Sequence, residues 1–165
     1  MILEIDDWKF DIDMERTMEY SANEAAEHCD CAYCRNFYAA VDEHCSALRP
    51  FLAQFGLDIE APDVLYPYDT YWDRMCYEGK YVVFGRIIKP GTKRIDLSNA
   101  YIWPMEDAEF TFEQPYFVLS LEELEIIWVL DEPLKDVVSP ANEPSFLKKM
   151  WQRLLGKSSK EKIES

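Results

Sequence analysis

Alternating apolar and polar residues mark the start of the chain. Trp8, Phe10 and Ile12 alternate with charged residues, and a cruder alternation runs through residues 2–7. A period of two is typical of a half-buried antiparallel strand. The pattern therefore predicts strand structure over residues 2–13, either as one strand or as two strands joined near Asp6 and Asp7.

A helical period replaces this alternation further along the chain. Residues 14–27 contain no glycine or proline, and Ser21 to Glu24 predict the cap of a short helix over residues 24–27. Steps of three and four then separate a series of apolar residues, which predicts one helix face turned towards a core: Cys34, Phe37, Tyr38, Val41, Cys45, Leu48, Leu52 and Phe55. Pro50 predicts a kink or a second short helix beginning there, and Gly56 predicts the C-terminal cap.

From Pro62 onwards the sequence consists of short runs rich in β-branched and aromatic residues. The predicted strands are Val64–Tyr68, Tyr71–Tyr77, Lys80–Lys89, Tyr101–Met105, Phe110–Glu113, Tyr116–Ser120 and Glu125–Leu130. Glu78-Gly79-Lys80 predicts a hairpin turn in which Gly79 supplies a positive φ. Strands this close together, without helices between them, favour an antiparallel sheet.

The end of the chain predicts one more helix. After a short linker with two prolines, apolar residues at helical spacing face basic ones, and Ser145 is the predicted cap: the stripe is Phe146, Leu147, Met150, Trp151, Leu154 and Leu155. We therefore predict two parts. Residues 1–141 form a single α+β domain, built as an antiparallel β-sandwich or curled sheet with a helical segment near residues 22–56. Residues 142–165 form a basic amphipathic helix and tail.

Charge narrows the choice of partners. The chain carries 32 acidic and 17 basic residues, a formal net charge of −15. This balance repels nucleic-acid phosphates and favours cationic partners, or simply solubility. The basic end is the exception, and we expect its helix to dock on its own acidic body rather than on a membrane surface or in a partner's groove.

The N-terminus and the cysteines indicate the compartment. Residues 1–7 are acidic and lack the apolar segment of a signal peptide, and no apolar run approaches the roughly 20 residues of a transmembrane helix. We therefore expect a cytoplasmic protein. In a reducing compartment, clustered cysteines more often bind metal, react or pack in the core than form disulfides.

The most distinctive stretch is His28-Cys29-Asp30-Cys31-Ala32-Tyr33-Cys34. Zinc prefers thiolate and imidazole ligands in a tetrahedron, so Cys29, Cys31 and Cys34 with His28 as fourth ligand form a candidate zinc site. Cys45 cannot complete it if the helix is continuous, because it lies eleven residues beyond Cys34, about 16 Å along the axis.

Two other interpretations of these cysteines stay open. Free cysteine is often a small buried hydrophobe, and Cys34 and Cys45 fall on the predicted core stripe; this is the interpretation that we favour. Alternatively, a thiol at a helix start has a lowered pKa and becomes more nucleophilic, which indicates a thiol-dependent enzyme or redox sensor.

No catalytic or cofactor-binding residue is assigned from the sequence. It contains no Gly-rich phosphate loop, no G-x-S-x-G and no H-E-x-x-H pattern. A band of aromatic residues, Tyr66 to Tyr81, is more typical of a packed sheet face than of a ligand groove. We therefore expect a non-enzymatic binding or interaction protein; the alternatives are a small zinc-binding protein and a thiol-dependent protein.

Two segments carry a resemblance. The stretch Cys29-x-Cys31-x-x-Cys34-Arg35-Asn36-Phe37-Tyr38, with Phe51 to Asp58 after it, resembles a family of small bacterial proteins, and Trp128 to Pro133 is similar to a second stretch of that family. Together they cover about a third of the chain. The resemblance implies a cytoplasmic bacterial protein with no assigned activity and no catalytic residues to transfer.

Overall fold

The computed structural model describes residues 1–107 and 109–134, with the side chains of Ala26 and Tyr71 excepted. In chain order these residues form β1 Ile2–Ile5, β2 Trp8–Ile12, α1 Met14–Ala26, α2 Ala32–His44, α3 Leu48–Ala53, β3 Val64–Tyr71, β4 Arg74–Lys89, β5 Ile95–Asp96, β6 Tyr101–Met105 and β7 Tyr116–Ile127. The predicted C-terminal helix and the boundary after residue 141 lie outside the described residues.

All seven of these strands belong to one antiparallel sheet. Its order is β1-β2-β4-β7-β6-β5, and β3 pairs with β4 beside this path. The α+β class with an antiparallel sheet is therefore confirmed. The predicted break at Asp6 is also present, since Asp6 has a φ of 52° between β1 and β2.

The alternation of side chains along β4 divides the interior in two. Tyr77, Tyr81 and Val83 belong to the main core, which also contains the stripe of α2 and α3. Val82 and Phe84 point to the other face, where the loop before β7 covers them with Phe110 and Phe112. This loop was predicted as a strand over Phe110–Glu113, which is wrong, because its aromatic residues close a second small core instead.

The predicted hairpin at Glu78-Gly79-Lys80 is wrong. Gly79 lies inside β4, where it pairs with Leu65 of β3 on one side and Leu121 of β7 on the other. The turn occurs earlier, at Trp72, which has a φ of 57°. Gly79 instead permits a close approach, since a Cβ there would lie 3.1 Å from the carbonyl oxygen of Val64. A glycine is therefore needed at this position because the neighbouring backbone is close, and not because the chain turns there.

The predicted strands Tyr116–Ser120 and Glu125–Leu130 are parts of one strand, β7. The register between β4 and β7 shifts between Tyr77 and Gly79, and opposite this shift Glu123 has a φ of 57°. An irregularity of this kind absorbs an extra residue without ending the strand. The charged run Glu122-Glu123 therefore bends β7 and does not interrupt it.

The first helix is longer than predicted. It begins at Met14, where the Asp13 side chain accepts a hydrogen bond from the backbone N–H of Arg16 at 3.2 Å. The short helix capped at Ser21 is therefore wrong. Ser21 is buried inside α1, and its hydroxyl accepts a hydrogen bond from Asp58 N at 2.8 Å.

The apolar stripe from Cys34 to Phe55 is confirmed as a buried face, but two helices carry it. Helix α2 ends at His44, with Cys45 as its cap, and α3 begins at Leu48. Pro50 lies in the first turn of α3, where a missing N–H costs no hydrogen bond. Gly56 has a φ of 79°, and Leu57 N donates to Leu52 O at 3.1 Å, which confirms the predicted cap.

Side chains replace a strand along one edge of β4. Between the segments that pair with β3 and β2, Val82 N donates to Asp63 Oδ2 at 2.7 Å and Phe84 N donates to Thr17 Oγ1 at 3.1 Å. The Tyr20 hydroxyl donates to the other oxygen of Asp63. This carboxyl therefore ties α1 to the sheet. Burial raises its pKa to about 6, with Glu24 acting in the same direction and the two hydrogen bonds opposing it.

This buried carboxyl makes stability depend on pH. Its pKa is higher in the folded state than in the unfolded state, so the folded protein binds the proton more tightly, and stability is lost as the pH rises from about 4 through 6. Between pH 4.5 and 7.5, the free energy of unfolding of the wild type, relative to Asp63→Asn, should fall by about 2 kcal/mol. Urea unfolding of both proteins measures this, and a difference that does not change with pH would contradict it.

Candidate functional site

Three of the four predicted metal ligands come together at the start of α2. The sulfur atoms of Cys29, Cys31 and Cys34 all lie within 4.8 Å of one another. Cys34 is buried, whereas Cys29 and Cys31 are partly exposed and pack against the main core. The cluster therefore lies at the edge of the core, with its two N-terminal members open to solvent.

The backbone around Cys31 explains this convergence. Cys31 is the N-cap of α2, with extended backbone angles, and its sulfur accepts a hydrogen bond from Cys34 N at 3.5 Å. The N–H of Cys31 itself donates to the sulfur of Cys29 at 3.4 Å. Serine, threonine, aspartate or asparagine usually occupies an N-cap. Here the sulfur of Cys31 has that role, and the turn that it closes brings the sulfur atoms of Cys29 and Cys34 close to it.

The electrostatics of the cluster distinguish its three thiols. The thiol of Cys34 donates a hydrogen bond to the sulfur of Cys31, and this contact, with further N–H and S–H donors, lowers the pKa of Cys31 to about 6. The same contact, with burial, raises the pKa of Cys34, and burial raises that of Cys29. The arrangement therefore favours the thiolate form at Cys31 over that at its two neighbours.

His28 does not belong to this group of ligand atoms. Its side chain is exposed, and its ring lies against Tyr38 with 4.8 Å between the ring centroids. Cys45 ends α2, one helix length from Cys34, as the spacing argument predicted. Three thiols, without the predicted imidazole, are thus the donors that the fold assembles.

Arg35 joins the start of α2 to the segment that follows β7. Its guanidinium donates to Glu132 Oε1 at 2.6 Å and to the carbonyl oxygen of Asp30 at 3.2 Å. Beside it, the rings of Tyr33 and Trp128 meet with their centroids 6.0 Å apart. The segment after β7 therefore covers the start of α2 and fixes the backbone between Cys29 and Cys31.

Asn36 makes the connection inside the core. Its side chain is fully buried; the amide nitrogen donates to Ile127 O at 3.3 Å, and the oxygen accepts from Val129 N at 2.8 Å. The same nitrogen donates to the hydroxyl of Tyr77 at 3.4 Å, and that hydroxyl donates to Tyr33 O at 2.7 Å. This network fixes the first turn of α2 against the end of β7.

Sequence reasoning missed the roles of Arg35 and Asn36. A buried polar residue on a helix face is rare, and Asn36 lies next to the apolar stripe that begins at Cys34. That position was the available signal. The role of His44 was missed as well: its ring accepts a hydrogen bond from Ile127 N at 3.4 Å and helps to anchor the other end of α2.

Comparisons with known proteins do not add to this description. No family model, no curated protein and no solved structure matches the chain. Within the described part of the chain, no helix combines the length and the apolar character needed to cross a membrane. The functional interpretation therefore depends on the residues themselves.

Replacing Asn36 should destabilise the protein strongly. Asn36→Ala removes a fully buried side chain and leaves the partly buried N–H of Val129 and carbonyl of Ile127 without their partner, which should lower the free energy of unfolding by about 2–4 kcal/mol. Asn23→Ala is the matched control, since Asn23 is exposed on α1 and its loss should change stability by less than about 0.5 kcal/mol. Urea unfolding compares the two variants, and equal effects would show that the network does not anchor the helix.

Proposed function

We propose that this protein is a non-enzymatic zinc-binding protein, in which Cys29, Cys31 and Cys34 hold the ion through three thiolates. The observation that carries the proposal is the convergence of the three sulfur atoms within 4.8 Å. Sulfur atoms around tetrahedral zinc lie about 3.8 Å apart, given zinc–sulfur bonds of about 2.3 Å. The thiols therefore need to move together by only about 1 Å to hold the ion.

The charge state of the cluster supports the same proposal. Metal ligation needs deprotonated sulfur, and Cys31 already favours the thiolate form. The other two thiols lose their protons as the ion binds, because a divalent cation offsets the repulsion between neighbouring thiolates. Cys29 and Cys31 are partly exposed, which gives the ion an entry path.

The preference for zinc follows from the donor type. Thiolate sulfur is a soft ligand that selects zinc or copper(I) over magnesium, calcium and manganese. Three thiolates leave the fourth position of the tetrahedron for water, for His28 or for a group from a partner. We propose that Cys29, Cys31 and Cys34 are the primary ligands and that His28 is dispensable, because its ring is occupied with Tyr38.

Metal analysis of protein purified without chelator tests this proposal. The wild type should contain about one equivalent of zinc, whereas Cys29→Ser, Cys31→Ser and Cys34→Ser should each retain less than about one-tenth of an equivalent. The charge-transfer absorption of added cobalt(II) should show thiolate ligands in the wild type and weaken in the same variants. Circular dichroism establishes that each variant is folded.

Two further variants are controls. Cys76→Ala removes a cysteine in β4, away from the cluster, and should keep the full zinc content. His28→Ala should also keep it, and a loss of zinc there would identify His28 as a ligand. Wild-type protein with less than about one-tenth of an equivalent of zinc, and with unchanged folding in EDTA, would overturn the proposal.

A further inference from the structure

Two of the three clustered cysteines also have the arrangement of a dithiol. Cys31 is the N-cap of α2, and Cys34 is the third residue of the same helix. The sulfur atoms of the two residues lie within 4.8 Å of each other. A disulfide brings two sulfur atoms to about 2.05 Å, so this turn can close one by rotation of the two side chains and a small adjustment of the backbone.

Exposure gives the two thiols different roles. Cys31 is partly exposed, so its sulfur can meet a molecule from solution, whereas Cys34 is 2% exposed and can meet only its neighbours. The sulfur of Cys31 also accepts the N–H of Cys34, which holds the two residues in one orientation. Cys31 is therefore suited to be the attacking thiol, and Cys34 to be the resolving thiol that completes the exchange.

We propose that Cys31 and Cys34 form a redox-active dithiol that undergoes thiol–disulfide exchange with low-molecular-weight disulfides of the glutathione class. The dithiol itself does not need the metal. Its consequence for the metal rests on the proposed function: a disulfide between Cys31 and Cys34 removes two of the three thiolates, and the ion is released.

The exchange takes two balanced steps. The Cys31 thiolate attacks one sulfur of the external disulfide; a new sulfur–sulfur bond forms, the external bond breaks, and one external thiolate leaves. The Cys34 thiol gives its proton to solvent and attacks the Cys31 sulfur, which expels the second external thiolate. Two protein thiols are thereby oxidised, and one external disulfide is reduced to two thiols.

Cys29 is the third thiol of the cluster, but it is not the expected partner. Only one residue separates Cys29 from Cys31, and its sulfur already accepts the N–H of Cys31. Cys34 is instead one helical turn away on the same side as Cys31. This difference separates the two proposals, because zinc needs all three thiols and the disulfide needs only two of them.

The test uses the full chain, reduced and freed of metal with a chelator, and then exposed to oxidised glutathione. Mass spectrometry should show the loss of two hydrogens, and peptide mapping should place the bond between Cys31 and Cys34. Cys29→Ser should form the same bond although it binds no zinc. Cys34→Ser should instead accumulate a glutathione adduct on Cys31, and Cys76→Ala should behave as the wild type.

The proposal is overturned if the wild type forms no internal disulfide, or if the mapped bond joins Cys29 to another cysteine. Neither result depends on zinc, so failure of the metal analysis and failure of the exchange are told apart. In a second sample loaded with zinc, a chromophoric chelator should detect metal release in step with disulfide formation. Release without the disulfide would overturn the link between oxidation and the metal.

Discussion

The buried amide of Asn36 fixes the geometry on which the cysteine cluster depends. The first turn of α2 is held in place by hydrogen bonds to two neighbouring segments, the end of β7 with the residues after it and the loop before the helix. Asn36 ties that turn to the backbone at the end of β7. Arg35 reaches outward to Glu132 and back to Asp30. Cys31 and Cys34 belong to the same turn. The distance between their sulfur atoms is therefore fixed by a turn that is anchored to the sheet, and not by a flexible loop.

The use of sulfur as an N-cap gives this turn its chemical character. An N-cap side chain accepts the free N–H groups at the helix start, and those groups stabilise negative charge on it. The pKa of Cys31 is lowered first by the thiol of Cys34 and then by the N–H groups of the helix start, and the same contacts order the turn. A metal ion would exchange some of these hydrogen bonds for coordination, and oxidation would exchange them for a covalent bond. Both proposals start from this one arrangement.

The parts of the fold that the sequence predicted well follow from local patterns. The alternation of Trp8, Phe10 and Ile12 and the stripe from Cys34 to Phe55 report burial directly, and both are buried in the structure. Gly56 was assigned correctly because a helix cap is also a local feature. All four candidate ligands lie between His28 and Cys34 in the sequence, and three of them, the cysteines, converge as their spacing led us to expect.

The errors came from contacts between distant residues. Gly79 was assigned to a turn because its crowding by Val64 cannot be read from neighbouring residues. Asp13, not Ser21, caps α1. The hydroxyl of Ser21 instead accepts a hydrogen bond from the backbone N–H of Asp58, 37 residues away. Asn36 and His44 likewise find their partners in β7 and just beyond it, more than 80 residues later. Most helices and strands could be predicted from neighbouring residues, whereas the contacts that anchor α2 join residues far apart in the sequence.

The claim that three thiolates share one ion is tested most directly by X-ray absorption at the zinc edge of the zinc-loaded protein. This account predicts three sulfur scatterers at about 2.3 Å and one nitrogen or oxygen scatterer. A first shell made only of nitrogen and oxygen atoms, or one with a single sulfur, would contradict it.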